Sequence, residues 1–448
     1  MLVIVHGWSD SSRSFRRLGQ RLVDEGVAQA VSNVVLGDYV SMDDDVRFSD
    51  IVSALERAWN EGQFPDAPHS VDVVVHSTGG LVIRDWMVTR RRGANATNPV
   101  RRLLMLAPAN FGSGLAHKGK SFLGRVVKGF KSPKLFQTGT HILEGLELAS
   151  PYSWQLAMLD RFGDNVGVDY GPGGVMCTVL VGNTGYSGIS AAANENGSDG
   201  TVRVSTAHLS PSRVFMDFAI DPQRPRVDTQ DARGLVAFCR INAENHSTLA
   251  LKDGGPRDPA SWERIKEALT VEDATFTAYC ARLEAGNADQ RARVSDDRYR
   301  QGYQNTVVHL VDDTGADVCD FFLEVFMKTA DEKRPDPRLT KRIQERVIET
   351  VHAYGPNASF RSLLINIDEL DRIVGETGRP VFISVTALPD IRHNKNVGYS
   401  TFGYDDIGSI RITSERLSTF FQRDRTLLIE LRIRREQGAA LFKLSPLS

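Results

Sequence analysis

The chain has 448 residues, 41% hydrophobic and 25% charged, with 38 Gly and 18 Pro, proportions of an ordinary globular protein that exclude a disordered or fibrous one. At about 100 to 200 residues per domain this length predicts two or three domains, each large enough to bury a core. Lys and Arg total 54 against 56 Asp and Glu, a net charge of -2, so no whole-molecule field draws a polyanion and nucleic acid is not an expected partner.

Met1 leads directly into Leu2-Val3-Ile4-Val5, with no basic n-region, long apolar h-region or small-residue cleavage site. The longest apolar runs, such as Leu103 to Pro108, fall short of the roughly 20 residues that cross a bilayer. The expectation is a cytoplasmic chain without a transmembrane helix, with non-classical export left open. Cys177, Cys239, Cys280 and Cys319 show no C-x-x-C spacing, and buried, reduced thiols are the expected reading.

From Met1 to about Leu251, short β-branched runs alternate with amphipathic stretches, the pattern of a parallel sheet covered by helices. Predicted strands are Leu2 to Val5, Asn33 to Leu36, Val71 to Val75, Leu103 to Leu106, Met176 to Val181 and Leu235 to Ile241. Ser12 to Glu25 puts Phe15, Leu18 and Leu22 on one face, and Phe48 to Asn60 does the same with Ile51, Val52, Leu55 and Trp59, so both read as crossover helices. Helical periodicity continues from Pro259 to about Ala285, and the polar stretch Asn287 to Arg300 reads as a linker. Beyond it, Thr306 to Leu310, Phe321 to Phe326, Ser362 to Ile367, Val381 to Thr386, Ile410 to Thr413 and Leu427 to Ile433 are strand-like, with a helix expected within Pro337 to Tyr354. The predicted organisation is a domain over 1–285 and a smaller β-rich, sandwich-like domain over 300–448.

The strongest local signal is Val71-Asp72-Val73-Val74-Val75-His76-Ser77-Thr78-Gly79-Gly80-Leu81. A buried strand, a serine, two glycines and a helical pattern describe a tight strand-to-helix turn that projects the serine hydroxyl above the sheet. A serine that merely caps the following helix would leave the same trace.

Here the first 250 or so residues resemble the α/β-hydrolase superfamily, in particular its lipase-like branch with a minimal, mostly parallel sheet. The G-x-S-x-G motif of that superfamily stands as Val75-His76-Ser77-Thr78-Gly79, with valine in place of the first glycine. The resemblance makes Ser77 the nucleophile. Through His6-Gly7-Trp8 at the end of the first strand it also makes the Trp8 and Thr78 backbone N–H groups the oxyanion donors. The family order is serine, acid, histidine. Asn196-Gly197-Ser198-Asp199-Gly200-Thr201-Val202 follows an apolar strand and makes Asp199 the acid, with Glu195 the weaker substitute. Ala243-Glu244-Asn245-His246-Ser247-Thr248-Leu249 follows the last predicted strand of the domain and makes His246 the base. His208 is the competitor, but it lies too near the acid in sequence for separate strand-end loops.

No H-x-x-x-H or clustered Cys/His pattern occurs, and Asp43-Asp44-Asp45 reads as a solvated run before a helix, so no metal or other cofactor is expected. A lid-like insertion is predicted over about 108–170. Within it, Leu115 to Phe136 interleaves Lys118, Lys120, Arg125, Lys128, Lys131 and Lys134 with Phe122, Leu123, Val126, Val127, Phe130 and Phe136. Such a segment suits peripheral contact with an anionic membrane or a lid over an acyl pocket, and equally a surface helix packed by its apolar side. The resemblance implies a serine hydrolase of carboxylic esters: a lipase, phospholipase or esterase with an ester or lipid substrate. An acyltransferase using the same triad and a non-enzymatic binding module on the same fold are the alternatives. The sequence assigns no role to the second domain and no oligomeric state.

Overall fold

The computed structural model describes residues 1–6, 15–36, 43–91, 97–118, 139–163, 168–221, 224–252, 254–329, 332, 334–391, 397–400, 411–412 and 414–437. The chain divides into two compact units, one of Met1–Pro211 with Asp231–Gly302, the other of Ser212–Gln230 with Tyr303–Ser448.

Among the described residues of the first unit, β1 (Leu2–Val5), β2 (Val31–Val34), β3 (Val71–His76), β4 (Val100–Leu106), β5 (Met176–Gly182) and β8 (Val236–Ile241) form one sheet in the order β2-β1-β3-β4-β5-β8. Every pairing is parallel, so the chain must cross over between strands, and helices bury both sheet faces. That is why the strands read as continuous apolar runs. Val71, Val73 and Val75 enter one core with Trp59 of α2 (Phe48–Glu61) and Trp86 of α3 (Gly79–Arg90). Val74 enters the opposite core with Leu18 of α1 (Arg16–Asp24). The insertion after β4 supplies α4 (Thr140–Leu146) and α5 (Pro151–Asp160).

After β8, α6 (Pro259–Thr270) and α7 (Asp273–Ala292) cover that opposite face through Trp262, Ile265 and Phe276. The expected linker at Asn287 is instead part of α7. Asn287 is buried, and its Oδ1 accepts the Arg240 N–H at 2.9 Å. The polar composition there belongs to a solvated helix face. Cys177, Cys239 and Cys280 are buried, whereas Cys319 is exposed, contrary to the expectation for all four.

The second unit is β-rich. Strands β6 (Ser212–Asp217), β7 (Arg226–Asp231), β9 (Tyr303–Asp312), β11 (Ile348–Ala353), β12 (Phe360–Asn366) and β16 (Thr426–Ile433) form a mixed sheet in the order β11-β12-β9-β16-β6-β7. A smaller antiparallel sheet pairs β10 (Phe321–Met327) with β13 (Val381–Ala387) and β13 with β15 (Arg411–Ile412), and β14 (Val397–Tyr399) pairs with β17 (Arg435–Gln437). The two sheets share one apolar cluster with α9 (Ile367–Thr377), including Leu310, Ile429, Phe382, Val385 and Leu370. Two sequence expectations need correction. Ser212–Gln230 groups with this unit rather than with a continuous 1–285 domain. The helix expected over 337–354 is α8 (Pro337–Arg342) followed by a wide turn and then β11. Among the described residues no helix is long and apolar enough to cross a membrane.

Candidate active site

Strand β3 lies inside the sheet between β1 and β4, and Ser77 follows it at the carboxyl edge, where open parallel sheets place their ligands. Ser77 has φ 55°, in the left-handed region that a non-glycine residue enters only when its surroundings hold it there. They do hold it. Its N–H donates to the Leu106 carbonyl at 3.1 Å, and its own carbonyl accepts from Gly80 N at 3.1 Å and Ala109 N at 3.2 Å. Helix α3 then starts so close to the loop after β4 that a Cβ on Gly80 would lie 2.7 Å from the Pro108 Cβ. Val75, in place of the first motif glycine, is buried in the core, and a Cβ on Gly79 would stand in ordinary contact with it, 3.4 Å from the Val75 Cβ. The Ser77 hydroxyl does not cap α3. Thr78 occupies the N-cap position without a side-chain cap, and Ser77 Oγ meets His246 instead.

Asp199 sits in the loop after β5 and is fully buried. Its Oδ1 accepts the N–H groups of Thr201 at 2.9 Å and Val202 at 2.7 Å, and its Oδ2 lies 2.9 Å from His246 Nδ1. A carboxylate receiving two amide protons on one oxygen is an acceptor. His246 Nδ1 therefore carries the proton it shares with Oδ2, which in the neutral ring leaves Nε2 as an acceptor. Nε2 stands 3.1 Å from Ser77 Oγ. His246 comes from the loop after β8, so three strand ends deliver the three groups.

The histidine loop is built locally. Asn245 Oδ1 accepts the N–H groups of Ser247 at 3.0 Å and Thr248 at 2.9 Å, an Asx-type turn. The buried Glu244 carboxylate accepts from Arg257 N at 2.6 Å, Asp258 N at 2.9 Å and Ser261 Oγ at 3.0 Å, joining this loop to the start of α6. Sequence reasoning missed both residues and also His76, whose Nε2 donates to the His246 carbonyl at 3.0 Å. The Asn-x-Ser-Thr run was a legible turn signal for Asn245; nothing local marked Glu244 or His76.

Of the other expected site residues, Thr78 follows Ser77 with helical backbone (φ -55°, ψ -28°), so its N–H belongs to the first turn of α3, where amides lack intrahelical acceptors. Trp8 lies outside the described residues. Glu195 pairs with Arg203 at 3.0 Å, and His208 stacks on Phe238 with ring centroids 3.9 Å apart; Ser77 Oγ meets His246, not His208, and His246 meets Asp199, not Glu195. Asp44 Oδ1 accepts from Thr140 N at 3.0 Å and Thr140 Oγ1 at 2.8 Å, the behaviour of a carboxylate at a helix start. Of the basic segment expected over 115–136, residues 119–136 lie outside the described residues.

The arrangement can move a proton from Ser77 Oγ to His246 Nε2 while Asp199 stabilises the resulting imidazolium, which makes the oxygen a nucleophile. No protein-family model matches the chain, and no curated protein matches it. Among solved structures, phospholipase PlaB from Legionella pneumophila in complex with thio-NAD matches with a TM-score of 0.80 and 21% identity, over 99% of this chain and 96% of that one. A second PlaB structure matches with a TM-score of 0.77 over the same shares. The mature form of Bacillus licheniformis lipase BlEst2 matches with a TM-score of 0.35 and 15% identity, over 60% of this chain and 91% of that one. The PlaB likeness is one of fold, and with the parallel sheet and its strand-to-helix turn it gives this chain the α/β-hydrolase fold, followed by a β-rich C-terminal region.

Proposed function

We propose that the protein is a serine hydrolase of carboxylic esters in which Ser77 attacks the acyl carbon, His246 takes and returns the proton, and Asp199 orients the histidine. The observation that carries this reading is the continuous contact from Asp199 Oδ2 through both ring nitrogens of His246 to Ser77 Oγ, at 2.9 and 3.1 Å, from three separate strand ends. Attack forms a tetrahedral oxyanion, which the Thr78 and Trp8 N–H groups stabilise. Collapse expels the alcohol, protonated by His246, and leaves an acyl group on Ser77. Water, activated by the same imidazole, then releases the acid.

Lipid esters, phospholipids among them, are the first substrates to try, because two solved structures that match nearly the whole of this chain are of a phospholipase. The test is a panel of p-nitrophenyl esters of increasing acyl length beside neutral and anionic phospholipid vesicles, run with the parent and Ser77→Ala. Ester turnover that rises with acyl length or on vesicles, and disappears in Ser77→Ala, supports the reading. Transfer of the acyl group to an added alcohol in preference to water would make the protein an acyltransferase instead. Absence of turnover together with absence of reaction with a serine-directed phosphonate would favour a binding module.

A further inference from the structure

His246 carries four polar groups, and the structure gives each a partner. Its N–H donates to the Asp199 carbonyl at 3.0 Å, Nδ1 faces Asp199 Oδ2 at 2.9 Å, Nε2 faces Ser77 Oγ at 3.1 Å, and its carbonyl accepts from His76 Nε2 at 3.0 Å. Three of these contacts belong to the proposed triad, and the fourth comes from the residue just before the nucleophile. We infer that His76 is a positioning residue, whose imidazole ties the His246 main chain to the strand that carries Ser77 and so fixes the distance between base and nucleophile. This inference rests on the triad reading of the site.

The chemistry of the contact is one-directional. A carbonyl can only accept, so His76 Nε2 must carry a proton. The His76 ring is nearly fully buried and tilts against the His246 ring with centroids 4.5 Å apart. Phe15, also buried, presses edge-on against His76 at 5.6 Å and against His6 at 4.7 Å. A ring walled in this way has little freedom to swing, and its hydrogen bond acts as a rigid spacer between the end of β3 and the loop after β8. Main-chain control matters because the two ring bonds of His246 fix the orientation of its side chain, whereas the loop itself must stay in place while Nε2 exchanges a proton with Ser77, leaving group and water. A displacement of about 1 Å in such a site can cost on the order of 100-fold in rate.

The test compares His76→Leu, His76→Gln and His76→Asn in the full chain. Glutamine places an amide N–H the same number of bonds from the backbone as His76 Nε2; asparagine is one bond too short; leucine fills space without a donor. Steady-state kinetics on one soluble ester, the rate of Ser77 labelling by a phosphonate and thermal melting are read for each, beside the parent and Ser77→Ala. A positioning role predicts that kcat falls about 10- to 100-fold in the leucine and asparagine variants, with KM within about threefold, and that glutamine recovers most of the loss. Phosphonate labelling slows in the same order. Parent-like kcat in His76→Leu would overturn the inference, as would a glutamine variant no better than asparagine at equal melting temperature. If leucine does not fold, the Gln–Asn comparison still decides. Undiminished turnover in Ser77→Ala would instead show that the triad reading has failed.

Discussion

Asp199 holds His246 at two points, through its carboxylate at 2.9 Å from Nδ1 and through its own carbonyl, which accepts the His246 N–H at 3.0 Å. Acid and base therefore stay together even when the carboxylate is altered, which makes Asp199→Asn an informative variant. Two amide donors, Thr201 N and Val202 N, already point at Oδ1, so the asparagine must place its oxygen there and its NH2 group towards His246. That arrangement pushes the imidazole proton onto Nε2, where it faces Ser77. The expected result is a kcat lower by about 10⁴-fold with melting temperature close to that of the parent. Activity within tenfold of the parent would contradict this account of the loop.

Gly80→Ala tests the strand-to-helix turn. The added methyl meets Pro108 Cβ at 2.7 Å and Asn110 Oδ1 at 3.3 Å, and neither the proline ring nor the buried asparagine, whose Nδ2 donates to the Ala207 carbonyl at 2.8 Å, gives way without a backbone shift. Overpacking of this kind costs about 1–3 kcal/mol. Chemical denaturation should show a loss in that range, and turnover should fall with it because Ser77 shares the same turn. A neutral effect on both would mean that α3 has room to move.

The Arg84–Asp160 pair joins α3 to α5 with both side chains fully buried, at 2.7 and 3.0 Å. Burial works against the Arg84 charge, but Asp160 more than compensates and raises the guanidinium above its ordinary value, while burial pushes the neighbouring Arg161 down. Asp160→Asn removes the charge that pairs with Arg84 and also favours the charge of buried Arg161. Breaking one side of a buried pair costs about 3–5 kcal/mol, so the urea midpoint should fall accordingly. Because Arg84 Nη1 also donates to the Asn110 carbonyl at 3.1 Å, beside the loop that braces Ser77, activity should decline at temperatures below the main melting transition. A change under 1 kcal/mol would contradict the assignment.

How far the sequence reached follows from what each signal depends on. Strand β3 is legible because its residues alternate between two buried faces; Ser77 and His246 are marked by their places soon after β3 and β8, whereas Asp199 lies well beyond the end of β5 and is marked only by its glycine-flanked loop. Strand β7 is not legible: Arg226–Asp231 has one apolar residue, Val227, and is exposed throughout, so it leaves no burial pattern. Strand β11 falls inside the expected helix because Leu339, Ile343 and Val347 recur every fourth residue; they do pack into one core, but the chain straightens at Ile348. His76 and Glu244 carry no local signal for a different reason. The contact of His76 spans 170 residues, and no local pattern encodes such a meeting.

Thiol chemistry offers a check on the fold alone. Burial pushes the Cys177 and Cys280 thiols up to about 12 and that of Cys239 up to about 11. Thiolates, not thiols, react with alkylating and disulfide reagents, so these three should stay silent in the native protein near pH 8. Cys319 is exposed and should react. Titration should count one thiol in the native protein and four after denaturation. Rapid native labelling of Cys177, in the sheet interior, would contradict the placement of β5.

The central claim is that Ser77 is the attacking oxygen, and the most direct measurement is reaction of the full chain with a fluorophosphonate, followed by peptide mapping and ester assay of the same sample. The expected result is one adduct per chain on Ser77, loss of ester turnover in proportion to that adduct, slow labelling in His246→Ala and none in Ser77→Ala. An adduct on another serine that abolishes turnover, or turnover that survives full modification of Ser77, would contradict it.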